Sequence, residues 1–233
     1  MKDTSSQTDS LDAAFWQPRT CMRAPISEIF HAAHLLDRAT SAHLSGHHQI
    51  AEQLIHDANI PTIRNWTESL WGSLEENPEQ PKFRRFREVP DSPPYLKKSE
   101  RAQERMPSDT RKEDITQVYG RHCLFCGIPL IHENVRKAMH SAYPIAACWG
   151  SSNQTQHAAL QCMWLQFDHI LPHSRGGDNS IENVVVTCAP CNYGRKEYTL
   201  DEVGLIDPRT RPILRTSWDG LERFLQPGIS QSR

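Results

Sequence analysis

The stretch "FDHILPHSRGGDNSIENVVVTCAPCN", Phe167 to Asn192, decides how this chain is read. An apolar run, "CMWLQFDHI", has the strand character of alternating aromatic and aliphatic residues and ends on an acid–imidazole pair, Asp168 and His169. A turn follows, "SRGGDNS", in which Gly176 and Gly177 free φ while Asp178 and Asn179 favour turn geometry. "IENVVVTC" is a second apolar strand pattern, and "APCNYGRKEYTLDEVG" starts a helix behind it. Two antiparallel strands and a helix make a ββα unit.

Seven cysteines are an odd count in a chain whose first residues, "MKDTSSQTDSLDAAFW", lack an apolar signal core. That argues against a disulfide framework and for thiol or metal chemistry. Four of them form two C-x-x-C pairs, Cys123/Cys126 and Cys188/Cys191; Cys21, Cys148 and Cys162 read as packing residues. The first pair is followed by Gly127, as in a zinc knuckle. Four thiolates are the closed tetrahedral set of a structural zinc, so this metal holds the fold and leaves the chemistry to other groups. Cys126 and Cys188 lie 62 positions apart, which suits a knuckle joined across an inserted segment.

The series D-H-I-x-P-x-S-x-G-G-x-[NS], then x-x-x-N-x-x-x-x-C-x-x-C-N, resembles the HNH endonucleases with a ββα-metal fold, over roughly residues 121–197. Asn192 stands where a third histidine would, so the likeness is to the H-N-N variety. The resemblance implies a divalent-metal-dependent enzyme that hydrolyses phosphodiester bonds in DNA, with RNA left open. His169, Asp168, Asn183 and Asn192 are then the catalytic set, Asn183 having the structural role of the middle N. It further implies an effector of restriction or anti-phage defence, working beside a protein partner such as an ATPase. The competing reading is a zinc-stapled nucleic-acid-binding module without catalysis; the complete D-H, N and N set argues against it.

The residues fit this chemistry on their own terms. His169 has a side chain that titrates near neutrality and suits a general base taking a proton from water. Asp168 and Asn192 offer oxygens to a hard cation, Mg²⁺ or Mn²⁺, which keeps positions for water and phosphate. Asn183 is placed to fix the strand connection by backbone hydrogen bonds. Arg175, Arg195 and Lys196 are candidates to clamp phosphates, and His173 is a neighbour of undecided role.

The rest of the chain frames this unit as an α+β protein, a helical module followed by a zinc-stapled ββα nuclease domain. Residues 1–20 read as disordered. Residues 21–74 carry three helical patterns, with Ser27 expected as the first N-cap and Pro61 in the first turn of the third. Six histidines lie in this block, and the i, i+4 pair His43/His47 lacks the Cys or Glu that would complete a metal site. Residues 75–109 are charged and proline-punctuated, a linker or arm in which "KFRRFR" interleaves aromatic and basic side chains. The nuclease domain is expected over 110–200, with an inserted loop at 128–160. The extension 201–233 ends in an amphipathic helix bearing Trp218, Leu221, Phe224 and Leu225.

Charge is uneven: 5 basic and 11 acidic side chains give −6 over residues 1–80, whereas 10 and 7 give +3 over residues 81–120. Nucleic-acid binding would therefore be local to the middle of the chain. No run of 18 apolar residues marks a membrane span, and a cytoplasmic location is expected.

Overall fold

The computed structural model describes residues 17–71 and 86–226. Helix α1, Ser27–Leu44, buries Ile29, Ala32, Ala33, Leu36 and Ala39 along one stripe, the three-to-four spacing of an amphipathic helix. Its N-cap is Ile26 and not Ser27, whose hydroxyl bonds Glu28 instead. The chain turns at Gly46, φ +78°, into α2, His48–Asp57, and then into α3, Pro61–Trp71.

Helix α4 spans Asp109–Tyr119. Ser108 accepts from the Arg111 amide, and Gly120, φ +76°, ends the helix. The segment expected as an inserted loop is folded instead. It contains α5, Glu133–Ala142, and the start of α6, Ala158–Cys162, and it buries Ile128, Leu130, Ile131, Val135 and Met139. Exchange of backbone bonds, Ile131 N to Met163 O and Leu165 N to Ile131 O, ties it to the strand that follows.

Strands β1, Leu165–His169, and β2, Val184–Cys188, pair antiparallel, with Leu165 opposite Cys188 and His169 opposite Val184. Helix α7, Ala189–Arg195, completes the ββα unit. It is shorter than its sequence pattern, because Lys196 takes φ 56° and turns the chain away. Gly194 of α7 sits against Leu70 of α3, where an added Cβ would stand 3.2 Å from the Leu70 carbonyl oxygen. That close approach joins the N-terminal helices to the ββα unit, and buried residues from both form one core.

The chain ends also take part. Arg19 forms a bridge with Leu205, so part of the stretch expected to be disordered is paired; residues 1–16 lie outside the described residues. The amphipathic helix expected near the C-terminus is a single 3-10 turn, Glu222–Leu225, with Leu221 and Phe224 buried and Leu225 exposed. Of "KFRRFR", residues 82–85 lie outside the described residues; Phe86 stacks on Tyr198 at 4.4 Å. Among the described residues, no helix is long and apolar enough to cross a membrane.

One core histidine makes stability pH-dependent. His157 is fully buried, donates from Nε2 to the Ile55 carbonyl oxygen at 2.8 Å and accepts from the Leu160 amide at Nδ1. Burial lowers its pKa to about 4, so the folded state keeps it neutral. Below pH 6.5 the unfolded chain takes up a proton that the folded chain refuses, and stability falls as pH drops toward 4. A depression of this size removes about 3 kcal/mol by that point. Denaturant midpoints between pH 7 and pH 5 should therefore fall more steeply in the wild type than in His157→Gln; equal slopes would remove His157 from the account.

Candidate active site

The two cysteine pairs meet at the edge of the sheet. The sulfurs of Cys123, Cys126, Cys188 and Cys191 all lie within 4.8 Å of one another, and Cys126 Sγ is 3.6 Å from Cys188 Sγ. Zinc at about 2.3 Å from each thiolate places tetrahedral sulfurs ~3.8 Å apart, so this donor set fits a structural zinc. Burial pushes the Cys188 thiol up to about 12, and a set of thiolates in that setting requires a cation. Gly127, φ +78°, closes the knuckle with its amide 2.8 Å from the Cys123 carbonyl oxygen. The Leu124 amide donates to Val186 at 3.0 Å and pins the knuckle to β2. Among the described residues this is the only group of three or more Cys, His, Asp and Glu side chains placed to share a metal. His43 is instead held by the Tyr143 hydroxyl at 2.7 Å and stacked on Phe224.

The loop between the strands is built around Asn183. Its Oδ1 accepts from the Leu171 amide at 2.8 Å, and its Nδ2 donates to the carbonyls of Leu171 and Asp178. Its own carbonyl takes the Ile170 amide at 2.7 Å. Gly177 must be glycine here, because a Cβ would stand 1.8 Å from the Leu171 carbonyl oxygen. These bonds set the path of the chain as it leaves His169.

A groove of about 1250 Å³ opens at this end of the sheet, and Asp168, His169, His173, Asn192 and Lys196 all line it. His169 is buried at its base, and burial holds its pKa below the ordinary value, so the neutral imidazole prevails near pH 7. Its Nε2 lies 2.8 Å from Asn179 Oδ1, and Asn179 Nδ2 donates to the Glu104 carbonyl oxygen at 2.9 Å. A carbonyl only accepts, so it fixes the amide with nitrogen toward Glu104 and oxygen toward His169. That oxygen in turn requires a proton on Nε2, which leaves the lone pair of His169 on Nδ1. His173 is set in the same way, its Nε2 donating to the Ala102 carbonyl oxygen at 2.9 Å.

Residues 160–204 match the HNH endonuclease family. No curated protein and no solved structure matches the chain. The HNH segment thus covers the end of α6, both strands, α7 and the start of the C-terminal extension, and it carries Asp168, His169, Asn183 and Asn192 together with the second cysteine pair. A nuclease segment implies a nucleic-acid substrate.

Two of the three basic residues expected to clamp phosphates are spent inside the protein. Arg195 is 1% exposed. It donates to both oxygens of Asp168, at 3.0 and 2.5 Å, and to the carbonyls of His169 and Tyr198 at 2.5 and 2.6 Å. Burial raises the Asp168 carboxyl above its ordinary pKa even with Arg195 pulling it down. Arg175 is buried as well. It grips Glu202 with two bonds of 2.9 Å, reaches the Pro93 and Glu197 carbonyls, and lies 4.1 Å above the Tyr95 ring. Arg195 therefore anchors the acid of the site, and Arg175 staples the arm and the C-terminal extension to the HNH loop. Lys196 alone of the three stays exposed.

Asn179 is a turn former in "SRGGDNS" and the [NS] position of the HNH-like series, and neither assigns it the contact to His169. Its spacing from His169 was the available signal. The carbonyls of Ala102 and Glu104 had none, since every residue carries one.

Proposed function

We infer that the chain is a divalent-metal-dependent endonuclease that hydrolyses phosphodiester bonds in DNA. The observation that supports this reading is a neutral imidazole with its Nδ1 lone pair free, in one groove with a carboxylate and an amide oxygen. Asp168 and Asn192 would hold Mg²⁺ or Mn²⁺. Each ionised carboxylate oxygen accepts from two directions, so the bonds to Arg195 leave Asp168 donor capacity. A bound hard cation supplies Lewis-acid stabilisation of the charge that develops on the phosphate.

The protein's own groups do the rest. His169 Nδ1 takes the proton of the attacking water, while Asn179 stabilises the imidazolium through Nε2–H. Arg195 keeps Asp168 oriented, and Asn183 holds the loop that positions His169. Lys196 is available to a phosphate on the open side. The role in defence, and a partner such as an ATPase on the N-terminal helices, rest on the family resemblance alone.

Plasmid nicking with Mg²⁺ tests the reading. His169→Ala should lose about 10²- to 10⁴-fold in rate, as for removal of a general base. Asn179→Ala should lose about 10- to 100-fold, as for outer partners of a functional imidazole. In wild type, ¹⁵N spectra should show His169 protonated on Nε2, and Asn179→Ala should mix the two tautomers. Equal nicking by wild type and His169→Ala would sink the mechanism. Binding to DNA without cleavage under any divalent metal would instead favour the non-catalytic module.

A further inference from the structure

The arm before α4, expected to be a linker, forms one wall of the groove. Its 3-10 turn, Lys98–Glu100, and the residues after it are docked by backbone bonds: Leu96 N to Ser174 O at 2.8 Å, and the Ala102 and Glu104 carbonyls to His173 and Asn179. These bonds fix the arm and leave its side chains to the groove. Lys98, Arg101 and Arg105 line it, with Lys196 on the α7 side. The acidic groups nearby do not cancel them. Of the acids that line the groove, Asp168 is neutralised by Arg195, which leaves Glu197; the Glu100 carboxylate turns back onto the Lys97 amide at 2.9 Å, and neither it nor Glu104 lines the groove.

The lining from α3 and α7 is of different character. Tyr193 projects from α7, 45% exposed, with its ring edge-to-face against Trp71 at 5.4 Å. Trp71 and Tyr193 both line the groove. The groove is larger than the roughly 300–1,000 Å³ of a small-molecule site. Basic side chains from the arm and aromatic side chains from α3 and α7 around one groove suit a single strand, whose phosphates take the cations and whose bases stack on the rings. A duplex presents phosphates on its outside and hides its base faces, so it has no use for the aromatic rings.

We propose that the groove between the arm and α7 binds a single nucleic-acid strand, with Lys98, Arg101 and Arg105 on its phosphates and Tyr193 stacked on a base. This rests on the nuclease reading of the site and assigns its substrate an unpaired stretch at the point of cleavage. The phosphate contacts that the sequence placed on Arg175 and Arg195 move to the arm, outside the family-matched residues.

The test uses the full chain, zinc loaded and without added divalent metal, so that binding is read apart from cleavage. Anisotropy of a labelled oligonucleotide is followed across a salt series, single-stranded and as the duplex of the same sequence. The single strand should bind tighter. Lys98→Ala/Arg105→Ala should reduce the slope of log K against log salt by about 1.4, at ~0.7 for each phosphate contact of a single strand. Arg101 is left in place because its Nε also bonds the Leu96 carbonyl at 2.9 Å and holds the arm. Tyr193→Ala should weaken binding by about 5- to 150-fold without changing the slope. An unchanged slope in the double variant, or equal affinity for duplex and single strand, would overturn the proposal. Binding as described with no cleavage under any divalent metal would instead defeat the nuclease reading and leave the groove assignment standing. Cleavage with both variants behaving as wild type would do the reverse.

Discussion

Stripping the metal from the four-cysteine site should unfold the HNH unit. Zinc in comparable closed sites contributes an apparent 10–16 kcal/mol of folding free energy at neutral pH, as large as the ~5–15 kcal/mol that stabilises a whole domain. Here the sulfurs of two distant pairs lie within 4.8 Å, with Cys123, Cys188 and Cys191 buried among apolar neighbours, where the cation is the charge partner of the thiolates and its loss removes the crosslink between the pairs. The site also holds the knuckle to β2 and the start of α7 to the sheet, so its loss releases both ends of the unit. The N-terminal helices share that core through Leu70 and Gly194 and should lose stability with it. Chelation should release about one zinc per chain, with loss of near-ultraviolet dichroism and of nicking together. Cys188→Ser should purify without zinc, whereas Cys148→Ser, away from the cluster, should keep it. A chain that retains its fold and cooperative melting after the zinc is gone would overturn this account.

What was legible in the sequence is what local pattern encodes. The apolar runs before Asp168 and before Cys188 became β1 and β2, and Pro61 opens α3 as its fixed φ suits. The two C-x-x-C pairs converge because thiolate ligands have few other uses in such spacing. What was missed depends on partners remote in sequence. Val135 and Met139 have helical spacing, but a ten-residue helix earns its place only by packing, and the segment read as a loop. The chain leaves α7 at Lys196 with no Gly or Pro to announce it; there Arg195 reaches forward to the Tyr198 carbonyl. An arginine beside a nuclease motif suggests phosphate, and only the structure reveals a carboxylate and three backbone carbonyls already in its reach. The arm carries proline and charge, the signature of a connector. Its docking uses Leu96 N, Ala102 O and Glu104 O, atoms that no side-chain pattern reports.

Arg195→Ala should cost about 3–5 kcal/mol of stability, the penalty for leaving one partner of a buried ion pair alone. The Asp168 carboxylate, 5% exposed in the intact protein, would lose its bidentate donor, and the carbonyls of His169 and Tyr198 would lose a charged donor. Arg195→Lys should rescue little, since an ammonium cannot fork across both carboxylate oxygens while also reaching those carbonyls. Asp168→Asn should cost less, because the guanidinium keeps its backbone acceptors. A phosphate clamp behaves otherwise. Its removal leaves the fold untouched and takes about 0.9 from the salt slope of duplex binding, or ~0.7 for a single strand. Denaturant unfolding and a binding salt series on the same preparation therefore separate the two roles. Full stability with a reduced slope would return Arg195 to the substrate. Lost stability with an unchanged slope per folded molecule keeps it as the anchor of Asp168. In that case the fall in nicking by Arg195→Ala should exceed the fall in folded fraction, because the acid proposed to face the cation is no longer held in place.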